Sequence, residues 1–414
     1  MSFKKTWKKL GPGLITGSSD DDPSGIATYS QAGAQFGLAT LWTALFTFPL
    51  MASIQEMCAR IGIVSSMGLT GTIKRHYSKK MLYLILVFST PAIILNIGAD
   101  IAGMGAVGNL LFPKINSVFF SVLFTIILII CIVYFPYKKI ASFLKYLCIV
   151  LLVYLIVPFL YKQDFGYILK SAIMPHISFN KEFLSILVGL LGTTISPYLF
   201  FWQANMEAEE VKQQKKIIIN KKLMNEVKYD VDFGMFFSNV VMFFIILTAG
   251  TVLYNSNMHN IITVEDAAKA LEPLAGKAAY LLFSTGIIGT GFLAIPVLSG
   301  SLSYMYCETF GWVDGLDKKY YEAKAFYIII AISLLLGLAV NYLGFSPIKA
   351  LLYAAILYGL TAPILIAVIL HICNNKLVMG EFTNSRKSNI LGIITFLVMT
   401  IASALLLYFI FIAA

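Results

Sequence analysis

Three consecutive aspartates interrupt the first apolar stretch of this chain. They lie in the run Ser-Ser-Asp-Asp-Asp-Pro-Ser-Gly at residues 18–25, with apolar sequence before and after it. A carboxylate inside a bilayer is costly unless it lines a cavity, pairs or holds an ion. Pro23 removes a backbone donor, and a glycine such as Gly25 permits conformations that other residues avoid. The run therefore predicts a broken transmembrane helix with unwound backbone at membrane depth, and a cation site at the break.

The alternative interpretation is a loop between a short amphipathic helix and a first complete span. The apolar pieces on either side of the aspartates, at residues 10–15 and 26–36, are each too short to cross a bilayer. We therefore favour the broken helix.

The composition is that of a polytopic membrane protein. Of the 414 residues, 58% are hydrophobic and 13% are charged, about half the charged fraction of soluble domains. The basic segment from Met1 to Lys9 precedes a span that charge interrupts, which is not the pattern of a signal peptide. No nucleotide-binding glycine loop or nucleophile elbow is visible, so we expect neither an enzyme nor a cofactor. The cysteines lack metal-ligand spacing and are expected to be buried free thiols: Cys58, Cys131, Cys148, Cys307 and Cys373.

We predict about eleven transmembrane helices from the criterion of roughly 20 apolar residues per span. Their approximate limits are 10–36, 38–63, 81–111, 116–136, 140–161, 183–212, 231–255, 277–309, 323–343, 346–372 and 389–412. The connection at 64–80 is polar and contains Gly68 and Gly71, and Val264–Ala268 is a candidate for a short surface helix.

Lysine and arginine concentrate in alternate loops, and cytoplasmic loops carry the excess of these residues. This rule places the N-terminus in the cytoplasm and Ala414 outside. The expected location is the plasma membrane of a prokaryotic cell. The formal charge of +10 then reflects topology, and we expect the lipid bilayer rather than nucleic acid as the partner. The sequence leaves the oligomeric state open and is compatible with a monomer.

The sixth predicted span contains a second interruption, at Gly-Thr-Thr-Ile-Ser-Pro-Tyr over residues 192–198. Pro197 follows Ser196 there, as Pro23 follows Asp22 in the first span. The two spans run in opposite directions, and paired broken helices in opposed halves indicate a midplane site in a transporter built from inverted repeats. The alternative is one kinked helix with a packing proline, which the match to the first span disfavours.

At these positions the chain resembles the natural resistance-associated macrophage protein (NRAMP) family of divalent-metal transporters. The resemblance implies an all-α, leucine-transporter-like fold with helices 1 and 6 broken and an inverted five-plus-five repeat. The whole chain, 1–414, would then form one transporter domain. The first repeat is expected at 1–162, the second at 183–372 and an extra helix at 389–412. The segments that carry the resemblance are Gly11-Pro12-Gly13, Asp22-Pro23-Ser24-Gly25, Gln31-Ala32-Gly33-Ala34, Ala59-Arg60-Ile61-Gly62-Ile63, Asp100 and 192–197.

The chain departs from the two metal-binding motifs of that family. Asp22 matches the aspartate of the first motif, but Gly25 stands for its asparagine. In the sixth helix the alanine carbonyl corresponds to that of Thr193, the methionine to Ser196 and the histidine to Tyr198. A Met-Pro-His string does occur at residues 174–176, but it precedes the sixth span and we interpret it as a coincidence.

Without the methionine thioether the expected donors are oxygens, which suit a hard ion such as Mg²⁺. The chain thus resembles the NRAMP-related magnesium transporters, and we expect uptake of partly hydrated Mg²⁺, with Mn²⁺ also carried. We expect Asp22 to be the principal ligand. The other expected contacts are Asp21 through water, the carbonyls of Thr193 and Thr194, Ser196, and the space left by Gly25.

The residues that the resemblance associates with proton movement are mostly absent. Asp100 is present, but Gly103 replaces a glutamate, Tyr198 replaces the histidine, and the ninth span has no basic residue in its interior. We therefore expect uptake without proton coupling; the alternative is a conventional proton-coupled Mn²⁺/Fe²⁺ importer. A sodium-coupled organic-solute symporter is disfavoured by the three aspartates, and an intramembrane aspartyl protease by the absence of its motifs.

Five further polar residues are candidates for the ion path. Ser196, Gln203 and Glu207 are spaced to share one helix face, although Glu207 also fits an acidic helix end paired with lysines. The latter interpretation is favoured for Glu209 and Glu210. The candidate path residues are Gln203, Glu207, Asp100, Asn96 and Thr361.

Overall fold

All regular structure in the described part of the chain is helical. The computed structural model describes residues 11–135, 153–161, 164–213, 219–344 and 346–412. The main helices are α1 (Pro12–Asp20), α2 (Pro23–Phe36), α3 (Trp42–Ser65), α4 (Leu69–His76), α5 (Lys79–Leu111), α6 (Ser117–Tyr134), α7 (Phe165–Ile173), α8 (Lys181–Thr194), α9 (Pro197–Gln213), α10 (Lys221–Ala249), α11 (Ala279–Phe310), α12 (Lys324–Val340), α13 (Pro347–Asn374) and α14 (Arg386–Phe411). Shorter helical turns are Val153–Ile156, Val157–Leu160, Gly250–Tyr254, Val264–Ala268, Lys269–Leu271, Glu272–Ala275, Gly276–Ala278, Asn341–Leu343 and Lys376–Met379.

The first predicted span is broken where the aspartates predict. Helix α1 ends at Asp20, α2 begins at Pro23, and the two residues between them leave the helical conformation. Asp22 is extended and caps α2, because its carboxylate accepts a hydrogen bond from the backbone N–H of Gly25. The proline at the first position of α2 lacks the N–H that the helix would leave unsatisfied there.

The sixth predicted span is broken in the same way. Helix α8 ends at Thr194 and α9 begins at Pro197, with Ile195 and Ser196 between them. A residue before proline is disfavoured in the helical conformation, which explains the position of the break. The prediction that helices 1 and 6 are broken is confirmed.

Seven helices of the described residues are long and apolar enough to cross a membrane: Lys79–Leu111, Ser117–Tyr134, Lys181–Gln213 taken across its break, Lys221–Tyr254, Ala279–Phe310, Pro347–Asn374 and Arg386–Phe411. Helix α12 is apolar but has 17 residues. Most of the fifth predicted span, 140–161, lies outside the described residues, as do Cys148 and several basic residues used for the orientation. The protein is a multi-pass membrane protein, and the inverted repeat and the orientation stay predictions.

The broken helices lie inside the bundle, held by close backbone contacts. Gly17 of α1 packs directly on the backbone of Gly234 in α10, and Gly192 of α8 on that of Gly359 in α13. Neither contact leaves room for a Cβ atom, so both depend on glycine. Every residue from Thr16 to Ala34 is buried. Both breaks are therefore enclosed by protein, as unwound backbone in a membrane requires.

Two connections contain helices. The segment 64–80, expected only to be polar, contains α4, because Glu308 of α11 accepts hydrogen bonds from the backbone N–H groups of Gly68 and Gly71 at 2.6 and 2.8 Å. The predicted short helix Val264–Ala268 is present, with a capping box between Thr263 and Asp266. Free thiols are confirmed for the four described cysteines, of which Cys131 is half-buried and the others are buried.

Candidate metal site

The three aspartates of the first break are buried in the bundle. Asp20, Asp21 and Asp22 have 0%, 2% and 1% of their surface exposed. Among the ion pairs of the described residues, none involves any of them. Burying three carboxylates without a basic partner is costly, so their charge has to be balanced by a bound cation or by protons.

Asp22 is held on both of its carboxylate oxygens. Oδ1 accepts a hydrogen bond from the backbone N–H of Gly25 at 2.6 Å. Oδ2 accepts one from the side-chain amide of Asn96, on α5, at 2.9 Å. Both donors stabilise the charged form of the carboxylate and fix its orientation at the N-terminus of α2.

The second break meets the first at Gly25. A Cβ atom built on Gly25 would lie 3.2 Å from the hydroxyl oxygen of Thr193, 3.3 Å from the carbonyl of Asp20 and 3.4 Å from Asp22 Oδ1. The structure thus brings together three predicted site residues: Asp22, Gly25 and Thr193. Any larger side chain at position 25 would crowd the point where these oxygens converge.

Hydroxyl groups line the rest of the second break. The Ser196 hydroxyl donates a hydrogen bond to the carbonyl of Thr193 at 2.5 Å, and the Thr194 hydroxyl donates to that of Leu190 at 2.6 Å. Because each hydroxyl proton is donated to a backbone carbonyl, the oxygen lone pairs remain to accept hydrogen bonds from water or to face a cation.

Asp20 and Asp21 contact α10, a helix in which the sequence indicates no site residue. The hydroxyl of Ser238, on α10, lies 2.7 Å from Asp20 Oδ2 and 3.3 Å from Asp21 Oδ1. A lone serine in an apolar span carries no sequence signal for this contact.

Asp100 lies close to Asp22 and Ser24, and it is completely buried. The backbone N–H of Ser24 is the donor nearest to its carboxylate, and no other side chain or backbone group of the described residues donates to it. One helical turn further along α5, a Cβ atom on Gly103 would contact Leu351 and Pro23 at 3.4 and 3.7 Å. Position 103, where the resemblance implies a glutamate, therefore faces the start of α2.

The predicted ion path is joined by hydrogen bonds on the α9 side. Gln203 accepts a hydrogen bond from Thr16 of α1 at 2.5 Å and donates one to Glu207 at 2.9 Å. Glu207 in turn borders a cavity of about 240 Å³. The cavity is lined by Gly11, Pro12, Ile63, Glu207, Glu210, Val211, Leu223, Glu226, Val227 and Asp230. This arrangement links the breaks to an acidic cavity between α1, α9 and α10.

Three other features singled out in the sequence lie apart from this path or have other partners: Thr361, Glu209 and the Met-Pro-His string. The Thr361 hydroxyl donates to carbonyls of its own helix, at Leu357 and Tyr358, and the structure gives it no contact with the aspartates. Glu209 accepts a hydrogen bond from the hydroxyl of Tyr304. Its expected pairing with lysines stays a prediction, because Lys215 and Lys216 lie outside the described residues. The Met-Pro-His string lines a separate cavity of about 540 Å³ beyond the ends of α2 and α8.

The donor set is suited to a hard cation. The described residues contain no group of three or more His, Cys, Asp or Glu side chains placed to hold a metal ion. A site here would therefore combine Asp22 with carbonyls, hydroxyls and water. Oxygen donors that leave room for water are those that Mg²⁺ prefers in proteins.

The sequence model of one protein family, described as natural resistance-associated macrophage protein-like, matches residues 13–409. The chain belongs to the NRAMP family. The divalent metal cation transporter MntH of Caldanaerobacter subterraneus subsp. tengcongensis is 24% identical over 414 residues, which cover 99% of this chain and 94% of that protein. MntH of Listeria monocytogenes is 26% identical over 302 residues, which cover 70% and 65% of the two proteins.

Solved structures of two transporters share the fold of this chain. A variant of the Eremococcus coleocola manganese transporter matches with a TM-score of 0.78 at 17% identity, over 100% of this chain and 90% of that one. A nucleobase-cation-symport-1 family transporter in a closed conformation, Mhp1, matches with a TM-score of 0.60 at 12% identity, over 96% and 92% of the two chains. The predicted leucine-transporter-like fold is thereby confirmed.

Two contacts of this NRAMP protein were not anticipated at the second break. The Tyr198 hydroxyl donates a hydrogen bond to the carbonyl of Ser19 at 2.9 Å, so the residue in the histidine position ties α9 to the end of α1. The thioether of Met242, on α10, lies 3.5 Å from the hydroxyl of Thr194. Met242 is four residues from Ser238, so the two side chains lie on the same face of α10.

Proposed function

We propose that this protein is a transporter that takes up divalent metal cations through the site where its two broken helices meet. One observation carries the proposal: Asp22 Oδ1 and the Thr193 hydroxyl converge on Gly25, inside the bundle. Membership of the NRAMP family supports it, as do relatives named divalent metal cation transporters. The metal ion is the transported substrate and not a resident cofactor.

We further infer that Mg²⁺ is preferred, that it keeps much of its water, and that Mn²⁺ is also carried. Ser196 presents a hydroxyl where the resemblance expects a thioether, and Gly25 leaves space where it expects an amide. Thioether ligands favour softer ions, whereas Mg²⁺ takes oxygen ligands at about 2.0–2.1 Å and loses water reluctantly. These features support a place in the NRAMP-related magnesium-transporting branch.

Uptake is driven by the membrane potential in this proposal. Position 103 carries no titratable group, the Tyr198 hydroxyl is engaged by Ser19, and α12 has its only basic residue, Lys324, at its start. A chain of titratable groups is what a proton relay needs. The potential is worth about 4.6 kcal/mol per 100 mV for a divalent ion, twice the value for one charge.

A second candidate is a conventional proton-coupled Mn²⁺/Fe²⁺ importer. Asp100 favours it, because a completely buried carboxylate close to Asp22, without a basic partner among the ion pairs of the described residues, is a site where a proton can bind. One structural relative is named a manganese transporter, which agrees with the metal of this candidate.

The proposed location is the plasma membrane of a prokaryotic cell, with the N-terminus in the cytoplasm and the C-terminus outside. In that orientation the cavity at Glu207 opens on the cytoplasmic side. Its carboxylates, at Glu207, Glu210, Glu226 and Asp230, would attract a cation leaving the site.

Uptake into proteoliposomes tests this function. Purified protein is reconstituted, an inside-negative potential is set with valinomycin and K⁺, and entry of Mg²⁺, Mn²⁺ and Ca²⁺ is followed with ion-selective dyes. We expect Mg²⁺ and Mn²⁺ entry that grows with the potential and is absent from protein-free vesicles. Protein-dependent Mn²⁺ entry without any Mg²⁺ entry would favour the second candidate.

A further inference from the structure

Four basic residues lie close together in the chain where α4 ends and α5 begins. Lys74 and Arg75 are in the last turn of α4, and Lys79 and Lys80 open α5. All four side chains are exposed. Among the ion pairs of the described residues, none involves this basic segment, and residues 57–99 contain no Asp or Glu. The basic segment is therefore suited to bind an anion from outside the chain.

The basic segment lies at the level of the lipid headgroups. Helix α5 has 33 residues and is roughly 50 Å long, whereas the hydrocarbon core of a bilayer is about 30 Å thick, so the ends of α5 project beyond the core. At the end of α11, the rings of Phe310 and Trp312 stack with centroids 5.0 Å apart, and both are exposed, as is typical of a membrane interface. The Lys74 ammonium donates a hydrogen bond to the carbonyl of Glu308, close to these rings, at 3.1 Å. The charges and the aromatic pair therefore lie at a similar depth.

The surface of α5 that follows the basic segment is apolar and faces away from the bundle. Tyr83, Leu84, Val87 and Phe88 are all exposed there. Residues three and four apart share one face of a helix, so Lys80, Leu84 and Val87 form a line that runs from charge into hydrocarbon. A phospholipid has the same order, with a charged headgroup above an acyl chain. A free anion or a nucleic acid would use only the charged end of this line.

We propose that the basic segment and the outward face of α5 bind one anionic phospholipid. Its phosphate lies among Arg75, Lys79 and Lys80, and an acyl chain runs along Leu84 and Val87. In the orientation proposed above, the lipid belongs to the cytoplasmic leaflet, where basic clusters beside a transmembrane helix attract anionic headgroups. The transported ion takes no part in this site, so the lipid site and the proposed transport function can fail separately.

Native mass spectrometry of the purified full-length protein tests the proposal, because it counts bound lipids one by one. The protein in detergent is titrated with phosphatidylglycerol and, separately, with phosphatidylcholine, and the apparent dissociation constant of the first bound lipid is measured. We expect the first phosphatidylglycerol to bind more tightly than the first phosphatidylcholine. Lys79→Gln combined with Lys80→Gln should weaken phosphatidylglycerol binding roughly 25-fold, at about fivefold per charge removed, and leave phosphatidylcholine binding unchanged.

Arg386→Gln combined with Lys387→Gln is the matched control. It removes two exposed charges from the start of another membrane-spanning helix, α14. The first phosphatidylglycerol should then bind with wild-type affinity. Excess inorganic phosphate should not displace the lipid from the wild type, since phosphate lacks the acyl chain.

Equal affinity of the wild type for phosphatidylglycerol and phosphatidylcholine would overturn the site. That result needs no variant, so it decides the question even if a double variant fails to fold. Equal weakening in the two double variants would also overturn it, because binding would then follow total charge and not a place on α5. Displacement by inorganic phosphate would show that the basic segment binds a free anion and that the apolar face takes no part.

Discussion

The side-chain amide of Asn96 donates a hydrogen bond to Asp22 Oδ2 at 2.9 Å, across 74 positions of sequence. Asn96 is completely buried on α5, and Asp22 lies in the non-helical step between α1 and α2. This contact holds the carboxylate of the proposed metal ligand from outside the broken helix. It also explains how a buried charge is positioned where the backbone is unwound.

Asn96→Ala should weaken Mg²⁺ uptake through loss of that contact. A hydrogen bond to a charged group contributes about 1.5–3 kcal/mol, which corresponds to roughly 10–150-fold in apparent affinity. The measurement is the Mg²⁺ concentration for half-maximal uptake in proteoliposomes. Asn109→Ala is the matched control, since Asn109 lies on the same helix and donates only to the carbonyl of Ile115. Equal shifts in the two variants would contradict a positioning role for Asn96.

The sequence predicted both helix breaks and the central place of Asp22, because charge and proline inside apolar runs have few physical explanations. It also placed Asn96 near the site, since Asn96 and Asp100 are separated by one helical turn. Ser238 and Met242 were missed, because their contacts join residues far apart in the chain and the side chains are ordinary in apolar helices. Helix α4 was not predicted, since its start depends on Glu308, more than two hundred residues away.

Ser196→Met should shift selectivity from Mg²⁺ toward Mn²⁺ or Cd²⁺. The substitution adds a thioether beside the Thr193 carbonyl and fills space that a hydrated ion needs. Uptake of the three ions is compared on wild type and variant under one membrane potential. Met242→Leu is the control, because its thioether already lies near Thr194 and an oxygen-only site should not depend on it. If the ratio of Mg²⁺ to Mn²⁺ uptake does not fall in Ser196→Met, position 196 does not set the selectivity.

Uptake should leave the pH inside the vesicles unchanged. Gly103 and Tyr198 supply no group that exchanges protons near neutral pH, and Asp100 alone does not form a relay. A pH-sensitive dye in the lumen is read during Mn²⁺ entry at a clamped potential. Protein-dependent acidification that follows metal entry would reject uncoupled transport and favour the second candidate function.

Glu56→Ala should destabilise the fold far more than Asp232→Ala. Both carboxylates form ion pairs with a residue four positions away, but the pair of Glu56 with Arg60 is largely buried, whereas that of Asp232 is exposed. Leaving one charge of a buried pair without its partner costs about 3–5 kcal/mol, against less than about 1 kcal/mol at the surface. Thermal unfolding in detergent should show a clearly lower midpoint for Glu56→Ala and an unchanged one for Asp232→Ala. Similar midpoints in both variants would mean that the buried pair is not structurally important.

Asp22→Ala tests the central claim most directly, since Asp22 is the carboxylate at which both helix breaks and Asn96 converge. The measurement is Mg²⁺ uptake into proteoliposomes under an inside-negative potential, for wild type and for variant protein that elutes as a single species. We expect saturable Mg²⁺ uptake by the wild type and uptake no faster than in protein-free vesicles for Asp22→Ala. Folded Asp22→Ala protein that takes up Mg²⁺ at the wild-type rate would contradict the account.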